Sequence, residues 1–403
     1  MGPAPELAIP NTDPGIDHCQ MHRIERAHPD IELGVARTGL DYLLCPPDRG
    51  IDADTGLILF IVGYGMHPAG PYIRNLLSYL ANRHNCLAAS VDYFGADLWR
   101  ADKFRWIPHP AFFTNLKKHY GLAVNAPKGF DARALANALA DTLGPLGIKS
   151  LHPECLLLCV SPEYNSLGVL PALDGLQLVH GLLQDFPLNR RRIFVLGTSY
   201  GGYVASLMLR FAPQTFRMVI DNSGFSSAED DIWNVYGMSK LHYPGFSICT
   251  TMVAAFSDQP NAANFFTPAN RLIRNLLHPP HAYKSSTRLY GYNAIDDSIA
   301  PTAKKLGLRE AYAGKVPYEL EIIDATKIDG RVFKDLSHGM HASMRGVFER
   351  SYDKFQRDGG PLADTTDFDL ETRYVFPCGK SDYVVQFSRE FGVRAELRPA
   401  APR

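Results

Sequence analysis

Arg192-Ile193-Phe194-Val195-Leu196-Gly197-Thr198-Ser199-Tyr200-Gly201-Gly202 is the stretch of this sequence on which its reading turns. An apolar run of strand length, Ile193 to Leu196, meets the pattern Gly-x-Ser-x-Gly at residues 197 to 201. Beyond it, Tyr203, Val204, Leu207, Met208 and Phe211 recur at helical spacing until Pro213. A Gly-x-Ser-x-Gly match alone is weak, because both residue types are common. Its flanks decide it, since strand, sharp turn and helix in that order are what lift a serine hydroxyl to the tip of a strained elbow. Small residues are needed at 197 and 201 because a Cβ there would collide with the neighbouring strand or helix. Ser199 at the helix start also sits where backbone N–H groups and the helix dipole favour developing negative charge. The competing reading, Ser199 as a plain helix N-cap, is set aside on that context.

Outward from this turn the chain alternates strand-like and helix-like stretches, which predicts an α/β fold with a mostly parallel central sheet and helices on both faces. Upstream, Ile31 to Val35 and Tyr42 to Cys45 read as a hairpin around Thr38-Gly39, and Gly56 to Val62 as a central buried strand ending in Gly63-Tyr64-Gly65. Pro71 to Arg83 reads as a helix, Cys86 to Val91 as a strand, and residues 94 to 150 as an insertion. The main rhythm is expected to resume with Cys155 to Val160 as a strand and Leu170 to Asp185 as a helix. Residues 224 to 284 show no sustained period and are expected to form a cap or lid. After the polar turn at Asp358-Gly359-Gly360-Pro361, three short runs, Glu371 to Phe376, Tyr383 to Phe387 and Val393 to Leu397, predict a small antiparallel β extension. The expected division is one domain over residues 1–357 and an extension over 358–403.

Composition narrows the function classes. With 46% hydrophobic residues in 403 the chain can bury a large core. Forty-one basic residues against 42 acidic ones, and no basic run beyond Asn189-Arg190-Arg191-Arg192, leave no electrostatic footprint for nucleic acid. The first twenty residues lack a basic stretch followed by an apolar one, and no apolar run reaches membrane-spanning length, so a cytoplasmic protein without membrane partners is expected. Seven scattered cysteines, an odd number, suit a reduced compartment in which most act as small hydrophobes. Cys155 and Cys159, in an apolar run without a second ligand pair, are read as core residues and not as a zinc site.

A serine nucleophile needs a base to take its proton and an acid to orient that base. The strand-like Ser286 to Tyr292 leads into Asn293-Ala294-Ile295-Asp296-Asp297-Ser298-Ile299, and Asp296 is the preferred orienting acid, with Asp297 as the alternative because a strand end cannot be fixed to one residue. Tyr318 to Ile323 suggests the last core strand, and the loop after it carries Ser337-His338-Gly339-Met340-His341. His338 is the preferred base and His341 its rival. Acyl transfer also needs preorganised donors for an oxyanion. The backbone N–H of Tyr200 and that of Tyr64, with Gly65 next in line, are the candidates. Trp99, Phe104, Trp106, Trp233, Tyr236 and Phe246 are aromatic candidates for lining a pocket, with core packing the competing role for each.

With these residues in hand the sequence resembles the α/β-hydrolase superfamily, over about residues 30 to 357, and Gly197-Thr198-Ser199-Tyr200-Gly201-Gly202 looks like the elbow of its oligopeptidase and esterase branches. More narrowly, Glu163-Tyr164-Asn165-Ser166-Leu167-Gly168 with Ala172-Leu173-Asp174, the run from Ser199 to Gly224, and Ser337-His338-Gly339-Met340 are similar to a bacterial family found near flagellin-glycan modification genes and described as motility-accessory or of unknown function. That resemblance implies the hydrolase fold and no settled substrate. Val62 stands where many esterases carry a His before the oxyanion glycine, a departure that bears on the oxyanion geometry. The reading that follows is a serine esterase acting on a small-molecule or glycan-linked acyl substrate through Ser199, His338 and Asp296, with no metal or organic cofactor. An acyl (acetyl) transferase to a glycan hydroxyl, a serine peptidase and a binding or scaffold protein with a disused triad are the alternatives. The oligomeric state is left open.

Overall fold

Continuous apolar runs in this chain become strands covered on both faces, which is what a parallel sheet with helices above and below requires. The structure is a computed structural model describing residues 19–96, 105–124, 131–161, 163–227, 238–243, 246–252, 256–278, 283–359 and 363–400. Trp99, Phe104, Trp233 and Tyr236 lie outside the described residues. In chain order the elements are β1 (Gln20–Ile24), β2 (Leu40–Cys45), β3 (Gly56–Ile61), α1 (Pro71–His84), β4 (Cys86–Val91), β5 (Arg105–Pro108), α2 (Phe112–Tyr120), α3 (Ala132–Leu143), β6 (Leu156–Val160), α4 (Val169–Asp185), β7 (Ile193–Thr198) and α5 (Tyr200–Phe211). There follow β8 (Met218–Asn222), β9 (Met238–Tyr243), β10 (Phe246–Met252), α6 (Pro268–Arg274), β11 (Arg288–Ala294), α7 (Thr302–Tyr312), β12 (Tyr318–Ile323), α8 (Met344–Arg357), β13 (Arg373–Cys378), β14 (Ser381–Ser388) and β15 (Gly392–Pro399).

The main sheet has eight strands in the order β1-β2-β4-β3-β7-β8-β11-β12. From β4 to β12 every neighbouring pair is parallel, while β1–β2 and β2–β4 are antiparallel. Every position of β3 and β4 is buried. Helix α1 packs with α8, and α4 with α5, to cover the sheet. This is the α/β-hydrolase layout expected from the sequence, and no described helix is long and apolar enough to cross a membrane.

Two strand readings need correction. Residues 31–35 are not a strand: the Asp30 carboxylate accepts the backbone N–H groups of Glu32, Leu33 and Val35, and groups so engaged cannot enter a ladder. The first strand is β1 instead, pairing with β2. The run at Cys155 to Val160 does not rejoin the main sheet either. As β6 it pairs in parallel with β10 and antiparallel with β5, in a separate four-stranded sheet ordered β5-β6-β10-β9. The insertion and part of the expected lid thus form one unit with its own small core, in which Phe112, Leu116, Leu135, Leu139, Leu157 and Ile248 are buried together. Phe246 belongs to that core and Trp106 packs against it. Cys155 and Cys159 are buried thiols, but Cys19 and Cys45 are joined as a disulfide beside the β1–β2 ladder, which corrects the cysteine reading at that pair.

The C-terminal run forms the expected three-stranded antiparallel sheet, β13-β14-β15. It is anchored by a buried ion pair. Arg274 at the end of α6 donates to both Glu32 carboxylate oxygens, and Oε1 also accepts from Asn270 and from the Tyr383 hydroxyl on β14. Both charged side chains are 0% exposed. Glu32→Gln leaves the buried guanidinium without its counter-charge and is expected to lower stability by about 3–5 kcal/mol. Denaturant unfolding of the variant beside wild type measures this.

His28 links the same sheet to the body. Its Nδ1 donates to the Pro29 carbonyl and its Nε2 accepts the Ala395 N–H of β15. Burial pushes its pKa down to about 4, opposed by the Pro29 bond and aided by the Arg37 charge. Because the folded value lies below the unfolded one, the unfolded chain binds the proton more tightly. His28's contribution is therefore complete above pH about 6.5 and declines as the pH falls to about 4, a loss of about 3 kcal/mol. Unfolding midpoints taken across that window should fall steeply in wild type and less steeply in His28→Gln.

Candidate active site

The turn between β7 and α5 holds Ser199 at φ 53° and ψ −125°, a conformation that costs a non-glycine residue on the order of 1–3 kcal/mol. Its neighbours explain how it is held. A Cβ on Gly197 would lie 2.1 Å from the Gly201 carbonyl oxygen, and one on Gly201 would lie 2.1 Å from that of Ile61 on β3. The Ser199 N–H donates to the Asn222 carbonyl at 2.7 Å, and the Ser199 carbonyl accepts from the N–H groups of Gly202 and Tyr203. The strain is thus fixed by the backbone on both sides.

Ser199 Oγ lies 2.8 Å from Nε2 of His338. His338 stands in a tight turn after β12, with Gly339 at φ 77° and Met340 at φ 58°. Met340 is fully buried and anchors that turn. On the far side of the imidazole, Nδ1 lies 2.9 and 3.0 Å from the two carboxylate oxygens of Asp297. The structure therefore brings together Ser199, His338 and Asp297, the alternative acid, and leaves Asp296, the preferred one, outside this row. The ladder partner of Ile323 is Ala294, and a turn in which the Asp297 N–H donates to the Ala294 carbonyl aims residue 297 inward and leaves Asp296 exposed. His341, the rival base, is exposed and pairs with Asp335.

The Asp297 side chain is 0% exposed and that of His338 18%. Burial pushes the Asp297 carboxyl upward, but the bonds from His338 and from the N–H groups of Ala300 and Ile299 outweigh it, and its pKa is net lowered. The carboxylate is thus ionised and aimed, able to hold the Nδ1–H tautomer that leaves Nε2 facing Ser199 as an acceptor. The tautomer is inferred from these bonds.

Sequence reasoning missed the residues that brace this row. Asn222, at the end of β8, donates from Nδ2 to Thr198 Oγ1 (3.2 Å) and to the Gly339 carbonyl (3.3 Å), so one side chain spans the elbow and the histidine turn. Ser223 Oγ accepts the Gly339 N–H. Asp221 accepts the Gly224 N–H and pairs with buried Lys305 of α7, the helix that follows the Asp297 turn. The available signal was the polar run Asp221-Asn222-Ser223-Gly224 closing an apolar strand.

The loop after β3 lies against the elbow: a Cβ on Gly63 would stand 3.4 Å from Ser199 Cβ. The Tyr64 and Tyr200 rings stack at 4.1 Å between centroids, and the Tyr64 hydroxyl accepts from Asn165. The run Glu163 to Asp174 serves this neighbourhood structurally. Glu163 accepts the Gly95 N–H, Ser166 offers its carbonyl to Arg274, and buried Asp174 takes Arg37 and the Phe94 N–H. Among the described residues, the group of three side chains close enough to share a metal ion is His119, His152 and Glu154, in the insertion.

A family model described as "Protein of unknown function (DUF2920)" matches residues 148–391. No curated protein matches the chain. Among solved structures, Est1E from Butyrivibrio proteoclasticus with bound ferulic acid is similar at 11% identity and a TM-score of 0.44, over 79% of this chain and 95% of that one. An acylaminoacyl peptidase of Pyrococcus horikoshii is similar at 15% identity and a TM-score of 0.46, over 85% of this chain and 42% of that one. A puromycin-hydrolyzing peptidase of Mycobacterium tuberculosis follows at 13% identity and a TM-score of 0.46, over 85% and 40%. This chain spans less than half the length of either peptidase.

Proposed function

Since the chain belongs to the DUF2920 family of proteins of unknown function, its activity is read from its own site, and we propose that it is a serine hydrolase that cleaves an acyl ester. The observation that supports this reading is one continuous row of hydrogen bonds, Ser199 Oγ to His338 Nε2 and His338 Nδ1 to Asp297, joined to a strained serine backbone.

In this reading Ser199 attacks the acyl carbonyl while His338 Nε2 takes its proton, and Asp297 holds the imidazolium that forms. The tetrahedral oxyanion takes bonds from the backbone N–H groups of Tyr200 and Tyr64, with the start of α5 adding favourable potential. His338 then protonates the departing alcohol, and water, deprotonated by the same nitrogen, releases the acid from the acyl-enzyme. The acyl group sits on a small molecule or on a glycan, the second choice in keeping with the resemblance to the motility-accessory family.

Acid release from short-chain nitrophenyl esters and acetylated sugars, with and without added sugar acceptors, tests this. Free acid accumulating without any acceptor is expected. Product that forms only with an acceptor would make the protein a transferase, and no turnover of any ester would contradict the reading.

A further inference from the structure

The insertion carries a cluster that the serine chemistry leaves unused. His119 lies in the last turn of α2, and His152 and Glu154 lie in the loop before β6. One potential ligand atom from each falls within 4.8 Å of the others. Nε2 of His119 is 2.8 Å from a Glu154 carboxylate oxygen, and the two imidazole rings stack at 3.8 Å and 14°. We propose that His119, His152 and Glu154 form a site for one divalent transition-metal ion, Zn2+ foremost, that clips α2 to the entry of β6.

The donor set points to that class of ion. Two imidazoles and a carboxylate, with a further position open to water, are ligands zinc accepts, whereas Mg2+ and Ca2+ take oxygen donors. Bonds of about 2.0–2.2 Å in a tetrahedral array set neighbouring ligand atoms roughly 3.3 Å apart. The 2.8 Å between His119 Nε2 and the Glu154 carboxylate is shorter than that value and every ligand pair falls within 4.8 Å, so the side chains have to turn about their own bonds to close on an ion.

The frame is fixed independently of the ligands. The Tyr120 hydroxyl accepts the His152 N–H at 2.6 Å, and Asn115 Nδ2 donates to the Glu154 carbonyl at 2.7 Å. Both bonds join α2 to the ligand-bearing loop. Beneath them, Phe112 and Leu116 of α2 are fully buried in the insertion's own core. The His119 Nε2–Glu154 hydrogen bond and the parallel ring stack must open when an ion enters, so that both imidazole lone pairs turn to one point, and two further contacts give way. One is the 3.3 Å approach of the Glu154 N–H to His152 Nδ1. The other is the ammonium of Lys118, which holds the same Glu154 oxygen at 2.8 Å and competes with the ion for it.

Equilibrium dialysis of the full chain against Zn2+, with bound metal counted per chain, tests the site. One more equivalent is expected in wild type than in the His119→Ala/His152→Ala double variant, and zinc should raise the thermal midpoint of wild type alone. Lys118→Met, which removes the competing cation, should tighten binding several-fold. Equal zinc in wild type and double variant, or weaker binding in Lys118→Met, overturns the proposal. Should the double variant fail to fold, Glu154→Gln takes its place, with loss of the extra equivalent expected and its retention counting against the site. None of these outcomes depends on ester turnover.

Discussion

Alanine at position 199 is expected to lower kcat on a short-chain nitrophenyl ester by about a million-fold, with the fold intact. Ser199 Oγ bonds His338 and stands at the tip of the elbow, so under the proposed mechanism its removal takes away the attacking atom and little else. Alanine keeps the same Cβ, and the backbone strain at φ 53° is the same for both residues, so the unfolding midpoint should barely move. What survives, on the order of a thousand- to ten-thousand-fold over water, is the contribution of binding and of the oxyanion donors. His338→Ala should cost a similar amount, and the double variant little more than either alone, because the two side chains act as one unit. Steady-state kinetics of the three variants checks this.

Asparagine at position 297 is expected to cost about ten thousand-fold in kcat, while Asp296→Asn stays within about twofold of wild type. The bonding of Asp297 gives the reason. Its Oδ1 accepts the N–H groups of Ile299 and Ala300, so an asparagine keeps its carbonyl oxygen there and turns its NH2 toward His338 Nδ1. That nitrogen must then accept, the ring proton moves to Nε2, and Nε2 donates to Ser199 when it should take its proton. The imidazole stays in place with the wrong tautomer. Asp296, exposed beside it, makes no bond to the imidazole that the substitution could break. Parallel rate measurements on the two variants decide between neighbouring carboxylates that sequence alone left open.

Much of the scaffold was legible because its signals are local. Ile193–Thr198 is a short apolar run, Pro71–His84 has proline at its start and a periodic apolar face, and the glycines around Ser199 announce a turn that tolerates no Cβ. What was not legible depended on distant pairing or on a single turn. Leu156–Val160 has the composition of a central strand, and only its partner, Phe246–Met252, some ninety residues on, assigns it to the second sheet. Residues 31–35 have apolar residues for a strand, but one upstream carboxylate takes three of their N–H groups. Asp297 and Asp296 differ in nothing a sequence records except which follows Ala294 by three and so closes the turn. The brace at Asn222 was out of reach because its partners, Thr198 and Gly339, are 141 residues apart.

Activation of Ser199 by His338 is open to intact-mass analysis after exposure to a fluorophosphonate, since this reagent phosphonylates such a serine and releases fluoride. One adduct per chain is expected on wild type, mapping to the peptide that contains Ser199, formed more slowly in Asp297→Asn and absent in Ser199→Ala. An unlabelled wild type, or an equal adduct on Ser199→Ala, would contradict it.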